Sequence, residues 1–221
     1  MDKLQNIKAV FWDWDGTLVD SFGFLHKTHN HVRQIFDMPA FTLEEFGHYF
    51  GKPRESLYNE IYGAGRIDEA KSHFEAFVLA HHHEIKPMEG AEALLSAFKA
   101  RGLPMGIVTN KKGALVKKEI TNHGWDHFFE CPSVGAGEAE DDKPSSAPLL
   151  LALERSGLDI DPKHILFVGD TENDVLCAYG AGAQISFIED DVKKHTIAQQ
   201  HKALLIFRNC HEFAEYVLQC D

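Results

Sequence analysis

The sequence predicts an α/β protein, a mostly parallel sheet covered by helices on both faces, with an all-helical segment inserted near its start. Three observations predict it. Short apolar runs recur along the 221 residues, and turn chemistry bounds the best of them. Helix-length patterns lie between those runs, and such alternation builds parallel sheets. One long stretch, from about Val19 to Glu84, breaks the alternation and carries helical patterning alone.

The elements follow in order. Ile7 to Trp12 is an apolar run that ends at Asp13, with an Asp-Gly turn signal at 15–16. Helices are expected over Phe22–Phe36, Leu43–Tyr49, Arg54–Ile61 and Asp68–His82, parted by Met38-Pro39, Gly51-Lys52-Pro53 and Gly63-Ala64-Gly65. Glu89 to Arg101 places Leu94, Leu95 and Phe98 on one face and stops at Gly102. The second strand, Leu103 to Val108, ends at Thr109-Asn110, and a helix over Gly113–His123 follows it. Ser146–Ser156 is Leu-rich and stops before Gly157. The third strand, Ile165 to Val168, ends at Gly169-Asp170 and leads into a helix over Asn173–Tyr179. Gln184–Ile188 and Ala203–Phe207 are further strands. The domains expected are therefore a core of residues 1–18 and 85–221 and a helical insert of residues 19–84.

Composition narrows the partners. Lys and Arg total 22 against 34 Asp and Glu, a formal charge of −12. That balance excludes nucleic acid and anionic membrane surfaces as default partners, since both demand a basic face. No run approaches the roughly 18 apolar residues of a membrane span. Cys131, Cys177, Cys210 and Cys220 make no CxxC pair, and the N-terminus shows no signal-peptide pattern. A reducing, cytoplasmic setting is expected from these features. Oligomeric state is not legible.

Ligands of open parallel sheets bind outside the carboxyl ends of the strands. The three best strands end at Asp13, Thr109 and Asp170. In extended chain Asp13 and Asp15 point to one side, with Trp14 turned away. Two adjacent acids suit a nucleophile beside a proton donor, and their repulsion asks for a cation. Asp15-Gly16 by itself is equally an ordinary turn. Thr109-Asn110 supplies a hydroxyl, an amide and backbone N–H groups for phosphate oxygens, or a helix cap. Lys143-Pro144 is either a surface loop or a point charge for phosphate and a carboxylate partner. Asp170 and Asp174, four apart at a strand end and helix start, suit Mg²⁺ together with Asp13. They equally suit helix capping by Asp170 or Asn173, with Asp174 favouring the helix dipole.

Taken together, DWDGT (13–17), TN (109–110), KP (143–144) and GDTEND (169–174) resemble the haloacid dehalogenase-like hydrolase superfamily, in its small helical-cap subgroup. The resemblance implies a Rossmann-like three-layer sandwich and an aspartyl-phosphate mechanism. Asp13 would be the nucleophile, and Asp15 would protonate the leaving alcohol and then activate water. Thr109, Asn110 and Lys143 would bind phosphate. Asp13, Asp170, Asp174 and the backbone carbonyl of Asp15 would hold Mg²⁺. Members that displace halide lack the second acid, so Asp15 favours a small phosphate ester as substrate.

The substrate is a weaker reading. Arg54, in the Gly51–Arg54 segment of the insert, is either an anion-binding cap residue or a surface arginine at a helix start. The leading expectation is a Mg²⁺-dependent phosphatase resembling phosphoglycolate phosphatases. One alternative is a sugar phosphomutase of the beta-phosphoglucomutase type, weakened because His26 lies one position off the expected cap histidine. The other is a non-catalytic binding protein on the same fold. His81-His82-His83 reads as a helix end and Glu138–Asp142 as a solvated loop. Trp12 and Trp14 read as core.

Overall fold

A computed structural model describes residues 2–49, 52, 54–191 and 195–220, the side chains of 54 and 55 excepted. The chain divides into two compact units, residues 1–19 with 87–221 and residues 20–86. It passes between them at the two-residue strands β2 (Val19–Asp20) and β3 (Lys86–Pro87).

The larger unit is built on a six-stranded parallel sheet of order β5-β4-β1-β6-β7-β8. Its strands are β1 (Ala9–Trp12), β4 (Met105–Val108), β5 (Ser133–Val134), β6 (Ile165–Gly169), β7 (Gln184–Ile188) and β8 (Leu205–Phe207). Every residue of β1, β4 and β6 is buried. That is why these strands read as unbroken apolar runs instead of alternating ones: a parallel sheet is covered on both faces.

Alternation decides which face each side chain enters. Phe11 joins the core that Leu149 and Ala152 share with Val175, Cys177 and Ala178. These come from helices α7 (Ala147–Ser156) and α8 (Glu172–Ala181), which also pack on one another. The neighbouring Trp12 enters the other face and meets Phe98 edge-on, with ring centroids 5.3 Å apart. Phe98 belongs to α5 (Ala91–Ala100) and meets Phe213 of α10 (Cys210–Gln219) at 5.4 Å. Full burial of such side chains contributes roughly 1.5–3 kcal/mol each. Helices α6 (Gly113–His123) and α9 (His195–Gln200) complete the unit. The predicted three-layer α/β class is therefore the observed one. Sequence patterning did not mark β5, α9 or α10.

The smaller unit holds α1 (Phe22–Ile35), α2 (Leu43–Gly47), α3 (Arg54–Tyr62) and α4 (Ile67–His81). Val32, Tyr58, Ile61, Tyr62 and Ala70 form its core. Thr42 and Glu45 close a reciprocal capping box at the start of α2. The Gly51-Lys52-Pro53 turn falls at residues 51 and 53, outside the described residues. Arg54 opens α3, and its side chain is also outside them. Among the described residues, no helix is long and apolar enough to cross a membrane.

Candidate active site

The strand order places β4, β1 and β6 side by side, so their carboxyl ends form one edge. The ladder runs one residue past two of them: Asp13 N–H donates to the Val168 carbonyl at 2.8 Å and Thr109 N–H to the Val134 carbonyl at 3.0 Å. These bonds fix the backbone just where the polar side chains begin.

Asp13, Asp170 and Asp174 converge, each offering an oxygen within 4.8 Å of the others. The Lys143 ammonium lies among them, 2.6 Å from Asp13 Oδ1 and 2.6 Å from Asp174 Oδ1. All four side chains are buried. Burial pushes the Asp13 carboxyl up to about 7, the nearby Asp174 adds to the shift, and Lys143 opposes it. Burial and the charges of Asp13 and Asp174 push Asp170 well above the usual carboxylate range. The same two aspartates raise the Lys143 ammonium despite its burial. One lysine thus faces three buried carboxylates.

Local chemistry aims each group. Thr17 Oγ1 donates to Asp170 Oδ1 at 2.7 Å. Gly16 has φ +89°, and a side chain there would overlap the Asp170 carboxylate, so the DWDGT turn needs glycine at this position. Asp174 is divided between two tasks. Its Oδ1 takes Lys143, and its Oδ2 accepts from Thr171 N–H at 2.9 Å and Thr171 Oγ1 at 2.6 Å. The cap of α8 is therefore Thr171 with Asp174 in a capping box, and neither Asp170 nor Asn173 takes that place.

Two further readings change. Lys112 occupies the N-cap place of α6, so Thr109 is not the cap. The Asn110 amide does not stand open: Nδ2 donates to the Lys143 carbonyl at 2.9 Å, and Oδ1 accepts from Lys143 N–H at 3.0 Å. Asn110 holds the loop that delivers the lysine.

Asp15 stands apart from the carboxylate cluster. Its side chain keeps 21% of its surface, and its Oδ1 accepts from Lys111 Nζ at 2.9 Å. Lys111 also reaches Glu119 Oε2 at 2.8 Å, and the Trp14 indole N–H donates to that same oxygen at 2.6 Å. Neither Lys111 nor Glu119 was marked by sequence motifs. A signal existed: Glu119 lies on the α6 face that carries Val116 and Ile120, where a charge is out of place.

The donors suit a hard cation. Asp13, Asp170 and Asp174 are all oxygen ligands, and burial of three carboxylates beside one lysine leaves negative charge to be balanced.

In the smaller unit, His26 Nε2 lies 2.7 Å from the Phe41 carbonyl and 2.9 Å from the Asn30 amide. His81 ends α4 and pairs with Glu84 at 2.9 Å. The acidic loop is exposed, with Glu138 pairing with Arg155 at 2.5 Å.

A parallel α/β sheet with acids gathered at adjoining strand ends is the framework of a phosphoryl-group hydrolase. The chain belongs to the haloacid dehalogenase-like hydrolase family, whose model matches residues 10–188. It is similar to a phosphoglycolate phosphatase of Yersinia pestis, 31% identical over 190 residues that cover 82% of this chain and 81% of the relative. A pyrophosphatase PpaX of Anoxybacillus flavithermus is 27% identical over 190 residues, covering 86% of each chain. A haloacid dehalogenase-like hydrolase structure from Streptococcus pneumoniae shares the fold with a TM-score of 0.84 at 24% identity, covering 96% of this chain and 98% of that one. The chain is a phosphatase of this family.

Proposed function

We propose that this phosphatase is Mg²⁺-dependent and hydrolyses a small phosphorylated metabolite of the phosphoglycolate kind. The observation that carries this reading is the convergence of Asp13, Asp170 and Asp174 around Lys143, with Asp15 two residues beyond Asp13.

Asp13 attacks phosphorus through a carboxylate oxygen. The ester P–O bond breaks, and the proton on Asp15 passes to the departing alkoxide. Asp15, now ionised, takes a proton from water, whose oxygen attacks the phosphorus of the aspartyl-phosphate. The Asp13–phosphorus bond breaks and inorganic phosphate leaves. Division of labour between two carboxylates follows from their settings: Asp13 is buried against Lys143, while Asp15 lies outside that cluster, paired with Lys111 and with 21% of its side chain open to solvent. Thr109 and Lys143 hold phosphoryl oxygens, and Asn110 acts on phosphate through the lysine loop it anchors. Asp13, Asp170, Asp174 and the Asp15 carbonyl would hold Mg²⁺. When bound, the ion supplies positive charge that offsets the carboxylates and the phosphoryl oxygens.

Arg54 in the smaller unit is the proposed contact for a second anionic group of the substrate, such as a carboxylate. Phosphate release from phosphoglycolate, pyrophosphate, hexose phosphates and p-nitrophenyl phosphate tests the reading. Turnover should require Mg²⁺ and vanish in Asp13→Asn. Full activity in that variant overturns the nucleophile, and preference for pyrophosphate overturns the ester substrate.

A further inference from the structure

Four side chains close a ring beside the strand edge. Trp14 Nε1 donates to Glu119 Oε2, Lys111 Nζ bridges that oxygen to Asp15 Oδ1, and Asp15 follows Trp14 in the chain. The ring joins residues 105 apart in sequence. Its base is rigid. Trp14 is fully buried, with Trp125 edge-on at 6.0 Å and Phe129 at 6.5 Å. Glu119 is also fully buried, and its Oε1 has no hydrogen-bond partner among the described residues. Lys111 keeps only 8% of its side-chain surface.

A buried glutamate with an unmatched oxygen is a costly way to fasten a helix to a loop. Fastening would be complete with Trp14, Glu119 and Lys111 alone. The second arm of Lys111, to Asp15, adds nothing to that task. It restrains the one acid of the DWDGT loop that is not already held among Asp13, Lys143, Asp170 and Asp174.

We propose that Lys111, set by Glu119 and Trp14, is a positioning residue that holds the Asp15 carboxyl group where it delivers a proton to the leaving alkoxide. The inference rests on the reading of Asp15 as the acid. Glu119 fixes the lysine, Lys111 fixes the Asp15 oxygen, and the free Asp15 oxygen is left to carry the proton. Neither Lys111 nor Glu119 touches substrate in this scheme.

The readout is leaving-group dependence. An alkoxide needs its proton in the transition state, whereas p-nitrophenolate departs without one. Measurement of kcat/KM with Mg²⁺ across phosphate esters, from p-nitrophenyl to simple alkyl, reports the proton-dependent first step. Lys111→Met should lower alkyl ester hydrolysis by about 10–100-fold, the scale of a misplaced catalytic group, and change p-nitrophenyl phosphate by only a few-fold.

Because Lys111→Met strands buried Glu119, the decisive protein is the double variant Lys111→Met/Glu119→Gln, which removes that charge and keeps an acceptor for Trp14. A folded double variant with the same selective loss of alkyl esters supports the proposal. A folded double variant with a wild-type ratio of alkyl to aryl rates overturns it, since the ring would then be a structural fastening only. Asp15→Asn is the reference. If it shows the selective loss and the double variant does not, positioning by Lys111 fails alone. If Asp15→Asn leaves the ratio unchanged, the acid role fails and this inference with it.

Discussion

Asn110 grips Lys143 by its backbone, donating to its carbonyl at 2.9 Å and accepting from its N–H at 3.0 Å. The ammonium at the far end of the same lysine then meets Asp13 and Asp174. A side chain on the loop after β4 thereby sets the position of a charge that arrives from a loop 33 residues later.

Asn110→Ala should release that loop and lower kcat for p-nitrophenyl phosphate by about 10–100-fold, the usual scale for a displaced catalytic group. Asn110→Asp should be worse, because it sets a carboxylate against the Lys143 carbonyl that Asn110 now donates to. Steady-state kinetics with a thermal melt of each variant separates displacement from unfolding. Wild-type kcat in a folded Asn110→Ala protein contradicts the assignment.

Divalent cation and pH should act on one another. Asp13 is raised from 3.8 to about 7 and Asp170 is raised as well, so both bind protons more tightly folded than unfolded. Their contribution to the metal-free protein is greatest below the unfolded value and is lost as pH rises through about 7. Mg²⁺ competes with those protons, so its stabilising shift in Tm should grow as pH rises from 5 to 8 by roughly the span of one such titration. Melting curves with Mg²⁺ and with EDTA across that range test the sign. A shift in Tm that shrinks as pH rises contradicts it. In Asp13→Asn the pH dependence of the metal-free protein should flatten.

Gly16→Ala should cost about 1–2 kcal/mol from its left-handed backbone, before any overlap with Asp170 is counted. The overlap falls on a proposed metal ligand, so Mg²⁺ affinity should drop along with stability. Titration of the Tm shift against Mg²⁺ reads the affinity directly. Unchanged affinity in the variant removes Asp170 from the ligand set.

Arg54→Ala should raise KM for phosphoglycolate and leave p-nitrophenyl phosphate, which has no second anionic group, nearly unchanged. A loss that is equal for both substrates, or absent for both, removes Arg54 from substrate recognition.

Legibility followed physical cause. Buried parallel strands have to be apolar at every position, so Ala9–Trp12 and Ile165–Gly169 stood out in the sequence. Ser133–Val134 is two residues long and carries no run to detect. Helix α10 has an ordinary amphipathic pattern, and the Asn209 side chain accepts from Glu212 N–H to cap it, both of them local features that a sequence carries. At the site, residues that meet the chemistry are fixed in type and spacing and could be read as motifs. Residues that hold them are not. Glu119 reaches Trp14 across the fold, and its place on the apolar face of α6 marks it as buried without naming that partner. Asn110 was visible as a polar group at a strand end, but its partner Lys143 became evident only in three dimensions.

The central place of β1 also governs the order in which the protein can be assembled. Its neighbours are β4 and β6, so Val10 meets Met105 on one side and Leu166 on the other. During synthesis the Ala9–Trp12 segment emerges early, and its second neighbour follows only after more than 150 further residues. Until then a buried-type apolar segment has one side unpaired, the kind of transient strand edge that favours aggregation. Asp13, the proposed nucleophile, sits on the end of that segment, so the site is completed late in folding.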